Sequence, residues 1–307
     1  MGNGVTAQQV LVALFNVGIA ISVGATVLSL GMSFTVGQLV APLHRVTLVV
    51  AMVVLNAGVI PAAAWGVAEI MPMDSKYVPG LVLATIGAGS AASLKAVQLA
   101  KRADLPLAVS VVVVLQLVNI VAVPLWAGQV VTGASISAWD IVKSLSLLVL
   151  LPLVVGLFAR ARYADHAKAW QAEMVRVSNL ALVVALATGI AGNWSTIVSM
   201  FGSWVIVTAI VIVIVAGLLG LLLGRLLGGR STEVRTTTGM VSVFRFASLG
   251  LIIIGAQLHG NPVYLGPALT FALVDFVLPL VLAVEIGHRA GAVKLAPEPV
   301  TASSATA

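Results

Sequence analysis

Three ionisable side chains lie deep inside long apolar runs of this chain: Lys95, Arg245 and Asp275. A cation at mid-bilayer costs ~2.5–3.5 kcal/mol on insertion scales, so it turns to the protein interior or to water and finds a partner. Lys95 precedes Lys101 by six residues, roughly 9 Å along a helix, which leaves snorkelling to an interface open to it. Arg245 follows Arg235 by ten residues, roughly 15 Å if helical, which reaches about the middle of the hydrocarbon layer. Asp275 is the one acid deep in a span; it suits a counter-charge for Arg245 or Lys95, or a proton carrier. The chemistry open to these three is charge pairing, anion recognition and proton transfer. Neutral polar groups accompany them: Asn56 before Pro61, Asn119 before Pro124, and the serines Ser90, Ser93, Ser242 and Ser248 in segments rich in small residues. Nothing here has the spacing of an enzyme or metal site. The four histidines, His44, His166, His259 and His288, are scattered, and the absence of cysteine excludes disulfides, thiolate ligands and a cysteine nucleophile. The expectation is a non-enzyme with no resident metal or cofactor.

The elements that position these groups follow from composition. The 307 residues are 60% hydrophobic and 8% charged, with a mean hydropathy of +1.14; a water-soluble domain of this size needs far more charge to cover its surface. The net charge of +6 sits in short connections between apolar runs rather than in a phosphate-binding stripe, which argues for a lipid bilayer and against nucleic acid as the partner. At ~20 apolar residues per crossing, the chain divides into nine spans, about 9–33, 46–70, 78–100, 106–131, 137–160, 174–197, 202–228, 236–258 and 262–287, all within one transmembrane domain over 1–293. Met1 to Val10 has no basic residue, so the first run reads as a retained span rather than a signal peptide. Residues 294–307, rich in Ala, Ser, Thr and Pro, read as a disordered cytoplasmic tail. Arg45, Lys101 and Arg102, the group Arg160, Arg162, Lys168 and Arg176, then Arg225, Arg230 and Arg235, then Arg289 and Lys294 fall on alternate connections. That alternation places the N-terminus outside and the C-terminus in the cytoplasm of a plasma (inner) membrane.

Two spans are interrupted. Gly87, Gly89, Ser90 and Ser93 stand at mid-depth in the third, and Gly239, Ser242 and Ser248 in the eighth. Small residues serve close helix packing, but the position of these two segments points further. Each is third in a set of four spans, and the two sets flank a single connecting span, as expected of inverted repeats whose discontinuous helices line a binding site. The predicted fold is all-α and integral to the membrane, with two crossing broken helices.

At these residues the chain resembles the bile acid:sodium symporter family, within the larger group that includes arsenite exporters. The resemblance is carried by Gly31-Met-Ser-Phe-Thr35, Asn56-Ala-Gly-Val-Ile-Pro61, Gly87 to Ala100 followed by Leu107-Ala-Val, Val142 to Pro152, and Met240 to Gly250. It implies a panel domain beside a core domain, substrate in the cavity between them, and a first family span that has no counterpart here. It also implies two sodium ions held at the crossover by Ser-Asn in the first broken helix, hydroxyls in the next span, and a Glu and a Gln in the second broken helix. Here Ser93 keeps the Ser, Leu94 stands at the Asn with Lys95 after it, Leu115 and Asn119 stand at the hydroxyls, Val243 at the Glu and Ala247 at the Gln; Asn56 could replace a remaining Gln. A sodium site needs several oxygens, and a nearby side-chain cation opposes it.

The expectation is a secondary transporter that moves an organic anion, bile-acid-like or a small carboxylate, by alternating access. Lys95 and Arg245 would occupy the crossover in place of sodium, and coupling to protons would run through Asp275 or be absent. Two alternatives are a sodium-coupled symporter with altered ligands and a non-transporting sensor on the same scaffold. Arsenite export lacks the soft thiolate it calls for.

Overall fold

The computed structural model describes residues 7–35, 37, 45–100, 103–131 and 138–295. The expected tail beyond Leu295 and the basic pair Lys101 and Arg102 lie outside the described residues.

Every described element is helical. In chain order they are α1 (Ala7–Ser33), α2 (Val46–Ile70), α3a (Val78–Ile86) and α3b (Ala92–Leu99), α4 (Leu105–Val130), α5 (138–162), α6 (Ala164–Gly192), α7 (Val205–Leu227), α8a (Thr232–Val243) and α8b (Ala247–Gln257), and α9 (Pro262–Leu295). Among the described residues eight helices are long and apolar enough to cross a membrane, with Thr232–Gln257 counted as one. The pair α3a and α3b completes the nine expected spans. Leu14, Val17 and Ile21 of α1, Leu147, Val154 and Phe158 of α5, and Leu218, Leu222 and Leu226 of α7 are exposed at helical spacing. Such stripes are the faces a bilayer covers, because lipid tails solvate large aliphatic side chains as well as a protein core does.

The helices form two groups. α1 lies between α5 and α6. Its axis closes on α5 where a Cβ on Gly31 would stand 2.6 Å from the Leu153 carbonyl oxygen and one on Gly156 would stand 2.5 Å from that of Leu28. Ser178 of α6 donates to the Ser22 carbonyl at 3.0 Å and its hydroxyl also meets that of Thr26. The second group, α2, α3, α4, α7, α8 and α9, surrounds the two interrupted helices. These are the panel and core that the resemblance implies.

Within the core, α3a packs beside α8b in one half of the membrane and α3b beside α8a in the other. The chain crosses itself between them. A Cβ on Gly250 would lie 2.1 Å from the Leu83 carbonyl oxygen, and one on Gly87 would lie 2.4 Å from that of Phe246. Backbone touches backbone here with no room for a side chain. Gly250→Ala is expected to separate the two half-helices and destabilise the fold by about 1–3 kcal/mol, the usual cost of overpacking a rigid core. Thermal unfolding of the purified protein in detergent checks this.

Candidate functional site

A broken helix in a membrane must find donors and acceptors for the peptide groups it frees, since the hydrocarbon supplies none. In the first break, Gly87–Ala91, Gly89 adopts a φ of 71°, in the left-handed region. The carbonyls around it are met one by one. Thr85 O accepts from Arg245 Nε at 2.8 Å, Gly87 O from Phe246 N at 2.9 Å, Ala88 O from Asn119 Nδ2 at 2.8 Å, Gly89 O from Gln116 Nε2 at 2.8 Å, and Ser90 O from Ser93 Oγ at 2.7 Å. Asn119 also accepts from Ala88 N at 3.0 Å, so its amide pairs with both sides of one residue. Asn119 and Gln116 lie three apart on α4, on one helix face, and both are fully buried. In the second break, Phe244–Phe246, the amide of Arg245 donates to both carboxylate oxygens of Asp275, at 3.0 and 3.2 Å.

Arg245 joins the two breaks to α2. Between Val54 and Ile60 the helix widens into a π turn, Leu55–Val59, where Ile60 N bonds to Leu55 O. Pro61 follows and has no N–H, so it can serve neither the Asn56 carbonyl five residues back nor the Ala57 carbonyl four residues back. Side chains supply the missing donors: Arg245 Nη2 reaches Asn56 O at 2.7 Å, and Trp126 Nε1 reaches Ala57 O at 2.7 Å. Arg245 Nη1 adds a bond to Asn56 Oδ1 at 3.1 Å, while Asn56 Nδ2 donates to Met52 O at 2.9 Å and to Ser242 Oγ at 3.1 Å.

The electrostatics follow from the helix ends. The guanidinium sits at the C-terminus of α3a, where carbonyls make the local charge negative; the Asp275 carboxylate sits at the N-terminus of α8b, where amides make it positive. Each buried charge is thus met by a helix end of the opposite sign.

The structure brings Asn56, Ser242, Arg245 and Asp275 together; Ser90 lies in the first break, and Ser93 of α3b and Asn119 of α4 bond to it. Ser248 lies half-buried on α8b, one residue into that helix. Lys95, expected at the crossing with Arg245, is exposed on α3b and makes no hydrogen bond or ion pair to that cluster among the described residues. Asp275, expected as a counter-charge or a proton carrier, accepts from the backbone amide of Arg245. One participant went unread in the sequence, Gln116, whose Oε1 is buried without a hydrogen-bond partner. A lone Gln in the Val- and Leu-rich run of α4, three residues before Asn119, was the available signal.

The sequence matches the sodium bile acid symporter family over residues 20–219. The chain belongs to that family. A chloroplastic probable sodium/metabolite cotransporter of Arabidopsis thaliana is 26% identical over 261 residues, covering 84% of this chain. The chain spans 64% of the length of that relative. The match to the sodium bile acid symporter family takes in Asn56, Lys95, Gln116 and Asn119, while Arg245 and Asp275 lie beyond its last residue.

Arg245→Met is expected to leave Thr85 O and Asn56 O without donors and to remove the charge facing Asp275. Breaking a buried charged network from one side costs about 3–5 kcal/mol, so the variant should lose most of its folded yield or melt far below wild type. Lys95→Met, at an exposed position, should melt within a few degrees of wild type. Comparing the two melting curves in one detergent checks both outcomes.

Proposed function

We propose that this protein carries an organic anion, bile-acid-like or a small carboxylate, across a plasma membrane by alternating access between panel and core, without the two-sodium coupling that its family resemblance implies. The observation that carries the reading is the guanidinium of Arg245. A free cation at the crossing would be held by carbonyl oxygens at a half-helix C-terminus and by side-chain oxygens of neighbouring helices. The guanidinium already takes Thr85 O, Asn56 O and Asn56 Oδ1. Val243 and Ala247, at the positions where the resemblance implies a Glu and a Gln, offer no side-chain oxygen. A cation fixed there repels a second one at short range.

The experiment is uptake of labelled cholate, lactate and succinate into proteoliposomes in sodium buffer and in choline buffer. Equal rates are expected, and a strict sodium requirement would overturn the proposal. It would instead favour sodium-coupled symport through altered ligands, a reading supported by the free Oε1 of Gln116 and by the likeness to the Arabidopsis probable sodium/metabolite cotransporter. A protein that binds these anions but shows no flux would be a sensor on the same scaffold.

Asp275 enters this reading as a structural group, since both its oxygens accept from one backbone amide. Asp275→Asn retains an oxygen for that amide, so transport by the variant should keep the pH profile of wild type. A variant whose uptake no longer responds to pH would identify Asp275 as a proton carrier.

A further inference from the structure

The remaining membrane cation calls for its own explanation. Lys95 lies three residues into α3b, about 5 Å along the axis from its first residue, hence near the crossing. Its neighbours Ser93, Ala96 and Val97 are buried, whereas Lys95 and Gln98 are exposed, with Ala91, Ala92 and Leu94 half-buried between them. This exposed face contrasts with the aliphatic stripes that other spans present. Leu147 on α5, Leu218 on α7, Val121 on α4 and Val281 on α9 are all about 60% exposed, and all are aliphatic, as a lipid contact requires. A face presenting an ammonium and a carboxamide beside a helix break suits water rather than lipid. Among the described residues the elements packed most against α3b are α4, α8a and α9, rather than the panel helices α1, α5 and α6. Lys95 also has no hydrogen-bond or ion-pair partner among the described residues. Asp104, the acid that follows it in sequence, is engaged with Arg45 at 3.6 Å and caps α4 through Leu107 N at 3.0 Å.

We propose that Lys95 lines the aqueous path on the α3b side of the crossing and reads the charge of the transported anion, its ammonium meeting the carboxylate as the solute passes. This rests on the organic-anion reading above and divides the labour between the two cations: Arg245 is sealed into the fold, and Lys95 is free for the solute. An unpartnered ammonium exposed to water close to a break can change partners each cycle, which a guanidinium with three fixed acceptors cannot.

The test uses the lack of native cysteine. Lys95→Cys and, as a control on a lipid-covered face, Leu147→Cys each carry one thiol in the full chain, reconstituted in nanodiscs open to reagent on both sides. A thiolate attacks the sulfenyl sulfur of a methanethiosulfonate, forming a disulfide and releasing methanesulfinate, and the reaction needs water. The bulky cationic trimethylammonium-ethyl reagent should label K95C and leave L147C unlabelled. Binding of cholate, lactate and succinate is then titrated. For whichever the wild type binds, K95C should raise Kd about tenfold. The aminoethyl reagent, which rebuilds an ammonium on a chain of lysine-like length, should restore binding, and the neutral methyl reagent should not. Lys95→Met, run alongside, should match K95C before modification. An unlabelled K95C, or wild-type affinity in K95C and K95M, would overturn the assignment of Lys95 alone. If wild type binds none of the three anions while K95C is labelled, the organic-anion reading falls and the charge-reading role falls with it.

Discussion

Everything in the core follows from one constraint: peptide groups in hydrocarbon must be hydrogen-bonded, yet two of its helices stop halfway across. The solution is local. Asn119 and Gln116 serve the first break from α4, Asp275 serves the second from α9, and the amide of Phe246 bonds directly to the carbonyl of Gly87 where the two breaks meet. Arg245 binds the arrangement to α2 because Pro61 withholds a donor there and the guanidinium supplies one. A proline on one helix and an arginine on another are thus two halves of one hydrogen-bonding balance.

The backbone of the crossing is as close as glycine allows. With Gly87 and Gly250 in contact with the facing chain, the four half-helices form a tightly interlocked unit. The panel contacts this unit mainly through α1, whose Asn16 abuts Gly255 of α8b, and meets the rest of the core where α5 packs on α4. Two groups of packed helices meeting along a seam are an architecture that relative rigid-body motion can use. The exposed face of α3b lies on the other side of the crossing from that seam.

Much of this was legible in the sequence. Apolar runs of spanning length and alternating basic connections gave the nine spans, and glycine and serine at mid-depth marked both breaks. Arg245 could be placed at the middle by counting residues from Arg235. Lys95 could not, because depth says nothing about azimuth: α3b is eight residues long, about two turns, too short for its pattern to show which face looks inward. The tie between Asp275 and the amide of Arg245 was equally hidden, since sequence reveals which side chains are charged but not which backbone groups a break will free. The π turn before Pro61 belongs to the same class. Gln116 went unread because a single amide in an apolar run looks like ordinary interhelical glue.

A cation delivered by the polypeptide differs from one drawn from solution in its effective concentration. A dissolved ion occupies its site only to the extent that its activity exceeds its dissociation constant, so the surrounding medium reports on the site and can empty it. Arg245 is held at its three acceptors by the chain itself, and linkage of this kind acts as a local concentration that no change in the medium dilutes. The positive charge at these three acceptors is therefore always present. On the sodium-independent reading proposed above, no ion has to arrive before the solute moves, and the order of events is left to the solute.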